Sequence, residues 1–498
     1  MTFALQTPLS DYDGTDVAVV VTVEWVGRTW YLSTRELTGE IHALPGLLER
    51  PGIDSEVSLS SVDAGASVSL ALVLPVVNVP SLVAEGHDIE ELTAEVAIVW
   101  HRRGVLAHGW SARQVIAQGF ATEPQHDDPT QPTGWIACTV EDSPYRSRRP
   151  IVRRTWEVTA DTHAGAPEFG DRIPLVMGQP DPEGVGGGPP APVINHSTGN
   201  ADRVALSMGW ASASTVYVVD ADGAKEQFEV DYIVDGLGQR TAFAAVTGAT
   251  TIDRTSTFTS AWMDGPALRP FGGSRPVHLA AHLLAAGGAD IDLPTWVSVA
   301  ELVGGSAGGY VDDPDTEPWE IARSILEGLP IRARRERDGW GAVIIDPAVA
   351  SQLTVGVWRE GGPYRRVSSW QSAGDNRVTR VEVKSDVSEL TVGATSARDA
   401  ALPHAWARHL SHTSEASAAP AWSWKGDNDH RVAQFAARIG AFGWEASAWQ
   451  VPTAYGQARE GDWLDLFEAD GVNRFALVQR RSLVDGVWDY TLVRPRAR

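Results

Sequence analysis

Alternation of apolar and polar positions dominates both ends of the chain. Val17, Val19, Val21, Val23 and Trp25 fall on one face of an extended segment, which predicts a strand with one side buried. Val57 and Leu59 alternate with serines. Val68, Leu70, Leu72 and Leu74 alternate with Ser67, Ser69 and Ala71, and Val96, Ile98 and Trp100 share a face. Residues 81–92 read as a short helix or loop, and Gln114–Phe120 and Trp135–Val140 as two further strands. Together these predict an all-β barrel or sandwich. At the other end, Trp463, Leu464 and Leu466 lead to a turn at Asp470-Gly471. Phe475 and Leu477 lead to Asp485-Gly486, and Trp488, Tyr490 and Leu492 alternate to the finish.

The middle reads differently. Ile173–Gly178 is a short apolar run whose Pro174 suits a strand start or edge. A Gly/Pro linker occupies residues 180–192. Val216 and Val218 are expected to pair with Phe228, Val230 and Tyr232 across a turn at Asp222-Gly223. Pro276 can open a helix that Gly287-Gly288 ends. Ile321, Ile325, Leu326 and Leu329 mark one face of a second helix, stopped by Pro330. A strand pair is expected at 331–335 and 340–345, turned at Asp338-Gly339. His430–Phe442 carries helical spacing within an otherwise strand-like region.

Composition narrows the function. The chain has 498 residues and a formal net charge of −23. Such acidity excludes a protein that wraps DNA by neutralising phosphates. It allows a surface past which DNA slides without sticking. The single cysteine, Cys138, permits no intrachain disulfide and shares a face with Ile136 and Val140, so it reads as core. Met1–Asp13 lacks the basic start and apolar run of a secretory signal. The longest apolar stretch, Val68–Val79, falls short of a membrane helix.

Candidate chemistry fails on context. Gly304-Gly305-Ser306-Ala307-Gly308 has the spacing of a hydrolase nucleophile turn, but Gly309–Pro314 beyond it cannot start a helix, so the segment reads as a flexible loop. His278 and His282 share a helix face, yet Leu279 stands where a metalloprotease needs Glu. Neither Asp312, Asp313, Asp315 and Glu317 nor Asp11, Asp13 and Asp16 have the spacing of a calcium loop. No catalytic residue, metal or cofactor is expected. The one dense basic run, Arg146, Arg148, Arg149, Arg153 and Arg154, reads as a solvated connector or a contact to an acidic neighbour.

The order of these parts resembles the baseplate hub (tail-tip) proteins of tailed bacteriophages and gene transfer agents. Gly170–Gly178 looks like the short strand after the first hub domain, and Val216–Tyr232 like the hairpin beyond it. Pro276–Gly287, then Pro318-Trp319-Glu320-Ile321, then Gly339-Trp340-Gly341 resemble the inserted α+β domain. Asn376–Val381 and Gly461–Leu466 look like the opening and closing segments of the last barrel. The resemblance implies a mainly β, multidomain chain. Two tube-like β-barrels, residues 1–165 and 365–498, flank a connecting strand, linker and small β domain (166–265) and an inserted α+β domain (266–364). It further implies a structural virion protein, assembled in the host cytoplasm, that closes the distal end of the tail tube. Its implied partners are two further copies in a homotrimer, the tail tube protein, the distal tail protein and tip, fibre or receptor-binding proteins. DNA would pass transiently, along a channel expected to be acidic or neutral. The fibre or peptidase region appended to longer hubs has no counterpart before Arg498, so wall degradation is not expected. The alternative from another class is a carbohydrate-active or peptidoglycan-degrading virion enzyme that uses its Trp residues as sugar platforms. A third is a receptor-binding tip protein.

Overall fold

The computed structural model describes residues 14–59, 64–126, 128–144, 175–178, 191–192, 194–196, 203–208, 215–220, 225–234, 240–245, 258–262, 275–303, 308–311, 317–327, 329–350, 356–372, 380–385, 389–392, 409–414, 422–423, 444–484 and 486–495. The chain is mainly β, with two curled sheets at its ends and a few helices between.

The first block contains β1 (Asp16–Trp25), β2 (Arg28–Ser33), β3 (Leu44–Pro45), β4 (Ile53–Glu56) and β5 (Ala66–Val73). Helix α1 (Val79–Ala84), β6 (Thr93–Arg102), β7 (Val105–Leu106), β8 (Gln114–Gln125) and β9 (Trp135–Asp142) complete it. The sheet order is β3-β2-β1-β6-β8-β9-β5, with β7 beside β6. Residues 46–48 bring its two edges together. Gly46 N–H donates to Ser33 O at the end of β2 (2.9 Å), while Val73 N–H of β5 donates to Gly46 O (2.7 Å) and Leu48 N–H to Ala71 O (2.9 Å). A side chain at Gly46 would meet Leu32 and the Val73 carbonyl, so only glycine lets the edges approach this closely.

Two expectations for this block are corrected. Strand β1 is buried on both faces, not one. Val17, Val19, Val21, Val23 and Trp25 face the barrel interior, while Ala18 and Val20 pack with Leu37, Ile41, Ala43 and Val99. The segment after β2 folds over the outside of the sheet, a non-local cover that alternation cannot report. The strand expected around Val57 and Leu59 instead lies at β4 and pairs with a strand from the far end of the chain. The short helix is at α1, capped by the Asn78 side chain, which accepts from Ser81 N–H (3.2 Å).

The middle opens with β10 (Leu175–Gly178), β11 (Ala191–Pro192), β12 (Ile194–His196), β13 (Arg203–Met208), β14 (Thr215–Asp220), β15 (Lys225–Val234), β16 (Arg240–Ala245) and β17 (Phe258–Trp262). Strands β11 to β17 form one sheet in the order β11-β17-β14-β15-β16-β13-β12. Its two edge strands are separated by a single residue, so the sheet curls back on itself. The expected hairpin exists with a different register. Val216 opposes Phe228 but Val218 opposes Glu226, and Val230 and Tyr232 pair with Ala244 and Ala242 of β16.

The α+β block comprises α2 (Pro276–Gly287), α3 (Leu293–Val303), β18 (Gly308–Val311), α4 (Pro318–Glu327), β19 (Ile331–Glu336), β20 (Gly339–Ile344) and α5 (Pro347–Ala350). Helix α2 begins on Pro276 and ends at Gly288, which takes the left-handed conformation (φ 100°) that closes a helix C-terminus. Helix α3 has no counterpart among the elements expected from the sequence. Gly308, the last residue of the segment expected as a loop, opens β18, which pairs with β10. Helices α2, α3 and α4 and the β19–β20 hairpin enclose Val277, Ala280, Leu284, Trp296, Ile321, Ile325 and Ile331.

The last block contains β21 (Gly356–Arg359), β22 (Arg365–Arg366), β23 (Gln371–Ser372), β24 (Arg380–Ser385), β25 (Glu389–Val392), β26 (His409–Ser414) and β27 (Trp422–Ser423). Strands β28 (Trp444–Pro452), β29 (Trp463–Phe467), β30 (Asn473–Val484) and β31 (Val487–Pro495) complete it. Its main sheet runs β21-β29-β30-β31-β28-β22, and the turn at 360–364 links the two edge strands. The helix expected at His430–Phe442 lies outside the described residues. Strand β4 pairs antiparallel with β30, Ser55 opposite Arg481. The interior faces of the first and last barrels form one continuous apolar cluster, and Trp444, Trp463, Leu477 and Val493 of the last barrel belong to the α+β core.

Candidate functional site: a buried charge network where three blocks meet

The residues singled out as candidate chemistry do not converge. Cys138 is buried in the first barrel, and burial pushes its thiol up to about 11, far from a nucleophile. His278 and His282 lie on α2, and burial lowers His282 to about 4. Among the described residues, no group of three or more His, Cys, Asp or Glu is placed to hold a metal ion. Asp16 caps the start of β1, accepting from Val17 N–H (2.8 Å) and Thr453 Oγ1 (3.1 Å). Glu317 accepts from Trp319 Nε1. Gly304–Ala307, Asp11, Asp13, Asp312, Asp313, Asp315 and the 146–154 basic run lie outside the described residues. Among the residues whose side chains are described, every Trp is buried or half-buried, which leaves no fully exposed indole there as a sugar platform. No described helix is long and apolar enough to cross a membrane.

What the fold does bring together is a set of charges that no sequence motif marks. Strand β30 carries Arg481 into the seam between the barrels, where it is wholly buried. Its Nε donates to Glu460 Oε2 (3.1 Å) and its Nη1 to Gln114 Oε1 of β8 (2.8 Å). Ser55 of β4 donates to the same Glu460 oxygen (2.9 Å). Arg481 also lies over the Trp488 ring, 5.1 Å from its centroid. Beside it, Arg459 donates from Nη1 to Glu336 Oε2 of β19 (3.0 Å) and from Nη2 to Val115 O (3.3 Å). Arg334 donates from Nε to Glu336 Oε1 (2.7 Å) and from Nη1 to Asp462 Oδ1 (2.7 Å).

Three guanidiniums, Arg334, Arg459 and Arg481, thus face three carboxylates, Glu336, Glu460 and Asp462. Burial alone would raise Glu460, but Arg481, Arg459 and Arg334 outweigh it and hold the carboxyl at about 2. Burial opposes ionisation of Glu336 as well, and Arg334 and Arg459 keep it below its ordinary range. Along the same hairpin, Arg335 reaches Asp142 of β9 (3.4 Å) and Gln118 of β8. Burial raises Asp142, against Arg335 and the Gln118 N–H.

This arrangement fastens the three blocks to one another. The charges neutralise one another, and their partners come from the first barrel, the hairpin and the last barrel. Removing one member leaves a buried charge unmatched, so the network fixes how the three blocks sit. Sequence spacing carried no signal for it, because Arg481 and Gln114 are 367 residues apart.

A scan against protein-family models finds no match. No curated protein matches either. Among solved structures, similarity falls on chains of virion and baseplate particles. One belongs to the virion of a native gene transfer agent particle (12% identity, covering 51% of this chain and 82% of that one, TM-score 0.18). One belongs to the phage P2 baseplate in its activated conformation with Ca (8% identity, 59% and 81%, TM-score 0.17). A third comes from a topological model of the p2 virion baseplate in its activated conformation (10% identity, 66% and 90%, TM-score 0.17). Superpositions of this quality fix neither fold nor role.

Proposed function

We propose that the chain is a structural virion protein, the baseplate or tail-tip hub that closes the distal end of a tail tube. The observation that carries this reading is the fusion of the two terminal β blocks into one body, through the β4–β30 pairing and a continuous apolar cluster. A chain that holds two curled sheets rigidly side by side offers a ring two like segments per copy. Three copies would then present six segments to a tube built of hexameric rings. In this reading the tail tube protein and the distal tail protein lie on one side, and tip or receptor-binding proteins on the other. DNA passes along a channel whose walls are acidic or neutral, since a basic lumen would hold phosphates in place. The chain carries out no reaction and holds no cofactor. Imaging of the native particle tests this. Threefold density for this chain at the tail end is expected; six copies per ring, a single copy, or a location away from the tail tip would overturn it.

A further inference from the structure

The outer face of the first barrel is covered unevenly. The segment after β2 packs over Ala18 and Val20, and Arg335 of β19 reaches Gln118. Past these covers one rung of the sheet stays open. Glu24 of β1 opposes Thr93 of β6, and Thr93 opposes Phe120 of β8. Directly opposed residues point to the same side of a sheet. Their chain neighbours Val23, Trp25, Ala94 and Ala121 fill the interior, so Glu24, Thr93 and Phe120 face outward. Phe120 is 62% exposed, Glu24 is exposed and Thr93 is half-buried. Neighbouring strands lie about 4.8 Å apart, so ring and carboxylate rise about 10 Å from each other, with Thr93 as the floor between them.

The same chain shows what fits between a ring and a carboxylate. One rung along this face, Arg113 donates from Nε and Nη2 to Glu95 (2.6 and 3.0 Å) and lies 4.7 Å from the centroid of Trp110. Arg481 is held in the same way by Trp488 and Glu460. Arg494 lies 4.1 Å from the Trp370 centroid and donates to Glu445 (2.8 Å). In each case the negative face of the ring and the carboxylate hold one guanidinium between them. Phe120 and Glu24 repeat the ring and the carboxylate, and among the described residues no cation is paired with either. We propose that the Glu24–Thr93–Phe120 rung is a seat for one arginine side chain of a different protein, stacked on Phe120 and donating to Glu24. Charge selects the occupant, since an unpaired carboxylate on a chain of net charge −23 draws cations and repels phosphates. Shape favours arginine over lysine: a planar guanidinium stacks and donates at once, whereas an ammonium is a compact, strongly hydrated charge.

The test uses the full chain carrying 4-fluorophenylalanine at position 120 alone, at constant ionic strength set by sodium chloride. The peptide acetyl-Gly-Arg-Gly-amide, its Lys counterpart and inorganic phosphate are titrated separately while the fluorine resonance is followed. The Arg peptide is expected to give a saturable shift, the Lys peptide a weaker one and phosphate none. Glu24→Gln should weaken the Arg peptide about tenfold, the loss of one charge-assisted hydrogen bond. Thr93→Arg supplies a guanidinium from the floor and should abolish binding. No saturable shift with the Arg peptide, equal binding of the Lys peptide, or unchanged binding in Glu24→Gln would each overturn the proposal. The source is read in producing cells with photo-crosslinking p-benzoylphenylalanine at position 120, which should join the chain to a different protein beside one of its arginines. No cross-link, a cross-link away from any arginine, or one only to this chain (its own arginine run at 146–154 or a second copy) would overturn it as well. None of these outcomes depends on where the chain sits in a particle.

Discussion

The first and last barrels share a curl and differ in what fills it. Trp25, Trp100 and Cys138 aside, aliphatic side chains such as Val19, Val21, Leu70, Leu72, Ile98 and Ile136 line the first. These aliphatic side chains carry no polar atoms, so their burial is a matter of volume alone. The last is filled by rings. Trp358 stacks on Tyr364 at 4.7 Å and meets Tyr490 edge-on at 5.0 Å, with Trp449 and Trp488 beside them. Rings bring N–H and O–H groups that need partners, and here the Tyr490 hydroxyl donates to Ala458 O (3.0 Å). The charged network lies against that same aromatic interior. An aliphatic barrel tolerates exchange of one apolar residue for another, whereas an aromatic and ionic one is tied to particular partners. The two ends of the chain should therefore fail in different ways.

The largest separation is expected from Glu460→Ala. It leaves Arg481 and Arg459 facing each other in a buried seam, and should cost about 3–5 kcal/mol by denaturant titration. A loss below about 1 kcal/mol would mean that the network fastens nothing. On the aliphatic side, Leu72→Ala should cost about 3 kcal/mol through the cavity it opens, while Leu72→Met should cost less than about 1.5 kcal/mol. If Leu72→Met proves as damaging as Leu72→Ala, the first barrel is no more tolerant than the last.

Acid should separate the blocks further. His282 falls to about 4 in the fold, below its ordinary 6.5, so the unfolded chain takes the proton first. Its contribution is complete above about pH 6.5 and is lost as pH falls toward 4, up to roughly 3 kcal/mol. Glu460 titrates at about 2, below its ordinary 4.5. Its contribution is therefore lost only as pH falls from about 4.5 toward 2. Two acid steps are expected in a stability–pH curve, and His282→Leu should flatten the upper one alone. The smallest effect is expected from Asp54→Ala. It removes the exposed Arg480–Asp54 pair that rims β4 and should shift stability by less than about 1 kcal/mol.

Much of the two barrels was legible in the sequence, because period-two alternation reports which face is buried. Val68 to Leu74, Ile136 to Val140, and Trp488 to Leu492 all bury the faces their spacing indicates. The helices α2 and α4 were legible from Pro, Gly and a four-residue apolar spacing. Helix α3 could have been found, since Trp296, Val299 and Ala300 repeat at helical intervals after Pro294 and all are buried. The rest depended on distant chain. Ala18 and Val20 are buried only because Leu37 and Ile41 arrive over them. Val57 left its expected strand because it packs in the α+β core, with its N–H donating to Gln479 O (2.8 Å). The charged network was invisible for the same reason: Arg and Glu positions acquire meaning only once three blocks meet.

The pairing of β4 with β30 also sets a clock. Asp54 and Arg480, which meet at its edge, are 426 residues apart. At a ribosomal rate of about 5–20 residues per second, the early strand emerges on the order of 20–90 s before its partner exists. During that interval the first barrel can curl, but its fourth strand has nothing to bond to, and an unpaired edge invites neighbours on the same message to bind instead. Synthesis of this protein therefore carries a built-in waiting period. A circular permutant that opens the chain between the two barrels and brings β30 out early would shorten it.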